Sequence, residues 1–152
     1  MNINQTMSGC TGLKINKPFI ETEAITLPPQ PYITFHPVHT KGNQRKYKEW
    51  TTVVDGLRDS VAQEVSPRYN LIQIGESDNI KYENYGVNVD YLEKTNVNQL
   101  AYLIKHSSLH LGYDSLPVHL ASHFGIKIVG LWSRWSSHSY PYFSSPKDYI
   151  IL

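Results

Sequence analysis

Leu109-His110-Leu111-Gly112-Tyr113-Asp114-Ser115-Leu116-Pro117-Val118-His119-Leu120-Ala121 changes character at its middle. Residues 108–112 read as a strand that ends at Gly112. Asp114 and Ser115 sit at the turn, and a helix begins at about Leu116. Pro117 suits its first turn, and Gly125 suits its end just after Phe124. A helix start presents amide groups outside the intrahelical ladder and the positive end of a dipole, which together favour an anion. Ser115 adds a hydroxyl donor there. His119 lies one turn on, on the same face, where it can donate to a phosphate oxygen or a ribose hydroxyl. The same residues also fit a plainer role, with Asp114 or Ser115 capping the helix and His119 packing.

Outward from this unit, strands and helices alternate. Residues 32–36 have strand composition and stop at Pro37; residues 39–46 form a polar, basic loop around Gly42. Thr51 can cap a helix carrying Val54, Leu57, Val61 and Val65, closed by Pro67. Residues 70–75 read as a second strand ending at Gly75, followed by a polar loop over 76–86 and a short strand at 87–89. Asn96 caps a helix with Val97, Leu100, Leu103 and Ile104 on one face. Residues 126–132 are an apolar run suited to a strand buried on both faces, and residues 149–152 read as a last strand. The alternation predicts an α/β, Rossmann-like three-layer domain with a parallel sheet, whose ligands sit beyond the carboxyl ends of the strands. Residues 1–30 differ: they are polar and end in Leu27-Pro28-Pro29-Gln30-Pro31, which reads as a linker or an extended N-terminal arm before a domain at 31–152.

Composition narrows the function. Fourteen Lys and Arg against thirteen Asp and Glu leave a formal charge of +1 over 152 residues, with no electrostatic footprint for nucleic acid or an anionic membrane. One cysteine, Cys10, excludes an internal disulfide and a cysteine-based zinc site. No apolar run approaches the roughly 18 residues of a membrane span, and the first residues lack the basic and apolar regions of a signal peptide, so a cytoplasmic setting is expected. His119 and His123 have metal-pair spacing, but no His-Glu-x-x-His motif or third ligand accompanies them, and no metal is expected. Neither a Gly-x-Ser-x-Gly elbow nor a Gly-x-Gly-x-x-Gly or Walker-type loop occurs.

The element Asp114-Ser115-x-Pro117-x-His119-Leu120-Ala121, followed by Ile126-Lys127-Ile128-Val129-Gly130-Leu131-Trp132, resembles the donor-site signature of family 9 glycosyltransferases, the ADP-heptose:lipopolysaccharide heptosyltransferase group of GT-B fold. Other landmarks follow in the same order. Ile33-Thr34-Phe35-His36-Pro37 resembles the first strand of that family's C-terminal half, and Lys48-Glu49-Trp50 its Lys-x-Trp ahead of the first helix. Ile72-Gln73-Ile74-Gly75, Lys94-Thr95-x-x-x-Gln99-Leu100-Ala101 and Pro141-Tyr142 resemble later elements. The resemblance covers about residues 31–152 and implies the nucleotide-sugar-binding half of a glycosyltransferase. Asp114, Ser115 and the N–H groups at 115–117 would then face the donor's diphosphate, with Leu116 between them and His119 in the same region. Lys48, or Lys46 by a shifted match, would neutralise phosphate charge. Thr95 would line the nucleoside, and Glu76 or Asp78 would meet ribose hydroxyls.

Two positions depart from the family pattern. Leu116 stands where a Gly commonly follows the Asp-Ser pair, and Glu93 where a Gly often precedes the Lys-Thr element. The resemblance implies no cofactor besides the nucleotide-sugar substrate, a saccharide-type hydroxyl acceptor, and a partner half that supplies the general base, so no catalytic base is named in this half. The competing expectation is a non-catalytic nucleotide-sugar-binding or scaffold module that needs a partner chain. Residues 132–145 gather Trp132, Trp135, Tyr140, Tyr142 and Phe143 around Arg134, a loop suited either to a sugar or to the other half.

Overall fold

A computed structural model describes Cys10 and residues 18–37, 68–76, 87–88, 91–131, 147 and 149–151. The strands are β1 (Tyr32–His36), β2 (Asn70–Gln73), β3 (Leu109–Tyr113), β4 (Ile128–Leu131) and β5 (Tyr149–Ile151); the helices are α1 (Val97–Lys105) and α2 (Leu116–Phe124). All strand pairs are parallel, and the spatial order is β2-β1-β3-β4-β5. Asn88 adds a single parallel bridge to Ile72, with Gln73 N–H donating to Asn88 O and Asn88 N–H to Leu71 O, both at 2.8 Å. With that segment as an outer position, the order along the chain is third, second, first, fourth, fifth, sixth, which is the order of a doubly wound Rossmann sheet. The direction of progress reverses between β1 and β3, and ligands of such sheets bind outside that crossover.

Alternation along the strands sorts side chains onto two faces. Tyr32, Ile72, Ile74 and Ile128 face the helical layer and bury with Ala101, Leu103 and Ile104 of α1 and Val118, Leu120 and Ala121 of α2. Ile33, Phe35, Leu71, Val87 and Leu111 form a second cluster on the opposite face. Tyr32 donates its buried hydroxyl to Leu103 O at 2.6 Å, tying β1 to α1, and burial holds its phenol well above the usual range.

Helix ends follow local chemistry. Asn96 accepts from Gln99 N–H while the Gln99 side chain accepts from Asn96 N–H, a reciprocal capping box. Gly125 takes the left-handed conformation (φ 73°) that closes α2, and Ile126 N–H returns to Ala121 O at 2.9 Å. That return keeps Ile126 out of β4, which starts at Ile128 rather than at the head of the apolar run. Similarly, β2 ends at Gln73 because the chain turns at Gly75 (φ 128°), whose carbonyl accepts from Glu93 N–H at 2.9 Å. β3 lies one residue later than its composition suggests. Val97, expected on the apolar face of α1, is 58% exposed, because the first residue of the helix clears the core. The helix expected after Thr51 lies outside the described residues.

Residues 18–31 run alongside α1 without regular structure. Ile20, Ile25 and Leu27 pack against the core. The Glu23 carboxylate accepts from Asn96 Nδ2 at 2.8 Å and Gln99 Nε2 at 2.7 Å, and these bonds hold its pKa below the usual carboxylate range.

Candidate functional site at the sheet crossover

The carboxyl ends of β1 and β3 meet where the sheet reverses direction. His36 closes β1 opposite Gly112, and His110 stands opposite Thr34. These four share the face turned toward α2. Gly112 is the close-approach point: a Cβ there would lie 2.9 Å from both His36 O and His110 Nε2. Only a glycine lets the two imidazole-bearing residues crowd the end of β3.

Beyond Tyr113 the chain turns through Asp114 to Ser115, the N-cap of α2. Its backbone is extended (φ −160°, ψ 175°), the usual cap geometry, yet its side chain makes no cap hydrogen bond. Ser115 Oγ instead donates to Tyr113 O at 3.0 Å and lies 3.0 Å from His36 Nδ1. Sequence reasoning expects the Ser115 hydroxyl as a donor to a ligand; in the structure it lies 3.0 Å from both Tyr113 O and His36 Nδ1. The expected row of N–H groups at 115–117 is also shorter, because Pro117 has none, and Val118 N–H goes to Ser115 O at 3.1 Å. Leu116, the first residue of α2, is 49% exposed.

His119 Nε2 stands 3.5 Å from Asp114 Oδ1, and both side chains are about one third exposed. Burial lowers the His119 pKa, and neighbouring Asp114 opposes the shift only partly. His110 is fully buried with Nδ1 3.0 Å from Thr34 Oγ1; burial, then the neighbouring His36, pushes its pKa down to about 3.

The structure therefore brings Asp114, Ser115, Leu116 and His119 to one strand end. Gly75, Glu93 and the turn before α1 form a second cluster beyond β2: Glu76 is exposed just past Gly75, and Thr95 is half-buried beside the cap Asn96. Lys46, Lys48 and Asp78 lie outside the described residues, as do the aromatic residues of 132–145. Sequence reasoning missed Thr34, His36 and His110 as a set. Their signal was the i, i+2 pairs Thr34/His36 and His110/Gly112 in two strands, which only the pairing register joins. Among the described residues, no three His, Cys, Asp or Glu side chains group as a metal set, and no helix is long and apolar enough to cross a membrane.

Comparison of the sequence with curated proteins gives no match. Solved structures share the fold. E. coli ADP-heptose lps heptosyltransferase II superposes with a TM-score of 0.59 at 17% identity, over 80% of this chain and 38% of that one. The glycosyl transferase family 9 protein from Veillonella parvula DSM 2008 gives 0.54 at 14%, over 98% and 39%. TibC, an iron-containing dodecameric glycosyltransferase from enterotoxigenic E. coli H10407, gives 0.51 at 19%, over 84% and 34%. The chain thus spans well under half the length of each. The profile for glycosyltransferase family 9 (heptosyltransferase) matches residues 10–150. With that match over most of its length, and a parallel Rossmann-like sheet that superposes on members of the group, the chain belongs to glycosyltransferase family 9.

Proposed function

We propose that this domain is the donor-binding half of a heptosyltransferase-like GT-B enzyme, and that the crossover between β1 and β3 holds the diphosphate of a nucleotide-sugar. The observation that carries the reading is the start of α2 at Ser115, placed at the carboxyl end of β3 where the strand order reverses. In this reading the amides of Ser115 and Leu116 and the cation of Lys48 stabilise the negative charge that develops on the leaving diphosphate, without a metal cofactor. Asp114 can only accept while ionised, so it suits a hydroxyl of the ribose or the sugar better than a phosphate oxygen. Thr95 and Glu76 line the nucleoside side.

The reaction is attack of an acceptor hydroxyl oxygen, saccharide-type, on the anomeric carbon. The bond from that carbon to the diphosphate oxygen breaks, and its electron pair leaves with the diphosphate. The hydroxyl proton passes to a base that we place in a second, N-terminal-type half, as a separate chain or as further sequence. A binding module that acts only with such a partner is the second reading.

Calorimetry with ADP, UDP and GDP tests the site. We expect saturable binding of at least one, with Kd in the range of about 1 μM to 1 mM. Lys48→Ala should weaken it more than Lys46→Ala, and chelator should leave it unchanged. No heat with any nucleotide removes the donor-site reading; the reverse lysine order assigns the phosphate cation to Lys46.

A further inference from the structure

The arm at residues 18–31 is fastened at both ends of α1. A helix that leads into a parallel strand starts at the carboxyl edge of the sheet, so α1 starts on the edge where β2 and Gly75 end. The arm follows it from that edge to the other. Glu23 N–H donates to Asn98 O at 3.1 Å near the helix start, and Gln30 Nε2 donates to His106 O at 3.1 Å past its end. Asn70 Nδ2, at the head of β2, donates to Pro29 O at 2.8 Å. The turn at 91–96 is held at three points. At one end the Tyr91 hydroxyl donates to Thr26 O at 3.3 Å, and Tyr91 packs against the core as Ile20, Ile25 and Leu27 of the arm do. In the middle Glu93, at its left-handed φ, donates its N–H to Gly75 O. At the other end Asn96 and Gln99 use their amide oxygens within the capping box and their amide nitrogens on the Glu23 carboxylate. Two of the three fastenings come from the arm.

We propose that the arm is a strap that positions the turn at 91–96, and that Glu23 is a positioning residue for the nucleoside contact at Thr95. The inference rests on the proposed nucleotide reading for the role of Thr95, and goes beyond it in giving the arm a part in binding. Thr95 stands between Glu93, tied to the end of β2, and Asn96, tied to the arm, so its backbone is held from both sides. The strap is also of the kind that opens. The side-chain bonds of Glu23, Thr26, Pro29 and Gln30 described above are all exposed, and Ile20, Ile25 and Leu27 are only half-buried. Segments held in this way open at lower free energy than a sheet core. A nucleotide that needs the turn in place then stabilises the docked arm by the same factor by which the docked arm strengthens nucleotide binding.

Hydrogen exchange on the full chain, joined to calorimetry with ADP, UDP and GDP in turn, tests this. Two amides report separately: that of residue 23, bonded to Asn98 O while the arm is docked, and that of Glu93, bonded to Gly75 O while the turn is formed. Glu23→Ala should lower the protection of both, and weaken nucleotide binding, by about fivefold each, the worth of one net hydrogen bond. The Ile74 amide, bonded to Phe35 O, should keep its protection. Tyr91→Phe, which removes the hydroxyl bonded to Thr26 O and keeps the ring, should act in the same direction, and it serves if the alanine variant folds poorly. In wild-type protein, saturating nucleotide should raise the protection of both amides. An unchanged Glu93 amide or an unchanged Kd in Glu23→Ala overturns the proposal. So does an equal loss at Ile74, which would make Glu23 a stabiliser of the whole domain. If wild-type protein binds none of the three nucleotides, the nucleotide reading fails, and the amides alone decide the strap: a loss at Glu93 upholds its hold on the turn, and an unchanged Glu93 overturns it.

Discussion

A single hydrogen atom separates glycine from alanine at position 112, and the site depends on it. An alanine Cβ would meet the backbone carbonyl of His36, which cannot swing away as a side-chain tip can. Gly112→Ala should therefore cost about 1–3 kcal/mol, the usual range for overpacking a filled core, measured by denaturant unfolding. It should also weaken nucleotide binding through the displaced His36. His110 adds a pH signature. Its folded form takes a proton only near pH 3, whereas the unfolded chain takes it near pH 6.5. Between those values the unfolded chain binds more protons, so stability is full above pH 6.5 and falls on acidification, by up to about 1.4 kcal/mol per pH unit for this one group. The lowered pKa of His119 acts in the same direction. His110→Gln should flatten most of that slope in unfolding curves taken from pH 7.5 to pH 4; an unchanged slope would place the acid sensitivity elsewhere. At this scale the sequence was legible only in part. Asp114, Ser115 and His119 were visible because a turn and one helical turn join them. His36 and His110 were not, because what makes them neighbours is strand register, and register is set by the whole sheet.

Elements were easier to read where their ends are chemical. Asn96 and Gln99 wrote the start of α1, and Gly125 wrote the end of α2, because caps are local bonds within a few residues. Strand edges were harder, since β2 and β4 end where a turn or a helix closure takes the next backbone group. Glu93 shows how a departure in sequence becomes strain in an element. It is the non-glycine residue at positive φ (52°) among the described residues, and it stands where the family pattern often has glycine. A side chain in that left-handed region costs roughly 1–2 kcal/mol. Glu93→Gly should recover about 1 kcal/mol of this, less the added freedom of the unfolded chain, and thermal melts would register it as a rise in Tm. A fall in Tm would mean that the Glu93 side chain contributes more than its backbone costs. Asn96→Ala tests the opposite end of the same turn. It removes the cap of α1 and the contact with Glu23, and should cost about 1 kcal/mol or somewhat more.

The described residues bury two apolar clusters, one on each face of the sheet, and the chain covers a little over a third of the heptosyltransferase it superposes on. Those two facts separate binding from turnover. The diphosphate site as proposed draws its amides from the start of α2 and its cation from Lys48, all groups of this chain. The acceptor and the base belong, in the same reading, to the other side of a cleft. Holding two reactants in register is a large part of a two-substrate rate enhancement, and one wall cannot supply it. The ligand should therefore stabilise the chain by simple linkage. At a nucleotide concentration about fifty times Kd the gain is about 2.3 kcal/mol. For a chain of this size that corresponds to a Tm rise of about 5–9 °C. The same sample, given a nucleotide-sugar and a saccharide acceptor, should release no nucleoside diphosphate above the uncatalysed rate. A Tm shift without turnover is the expected pair of results. Turnover by the chain alone would place the base within these 152 residues. Absence of any shift with ADP, UDP or GDP would take the donor site away from the crossover.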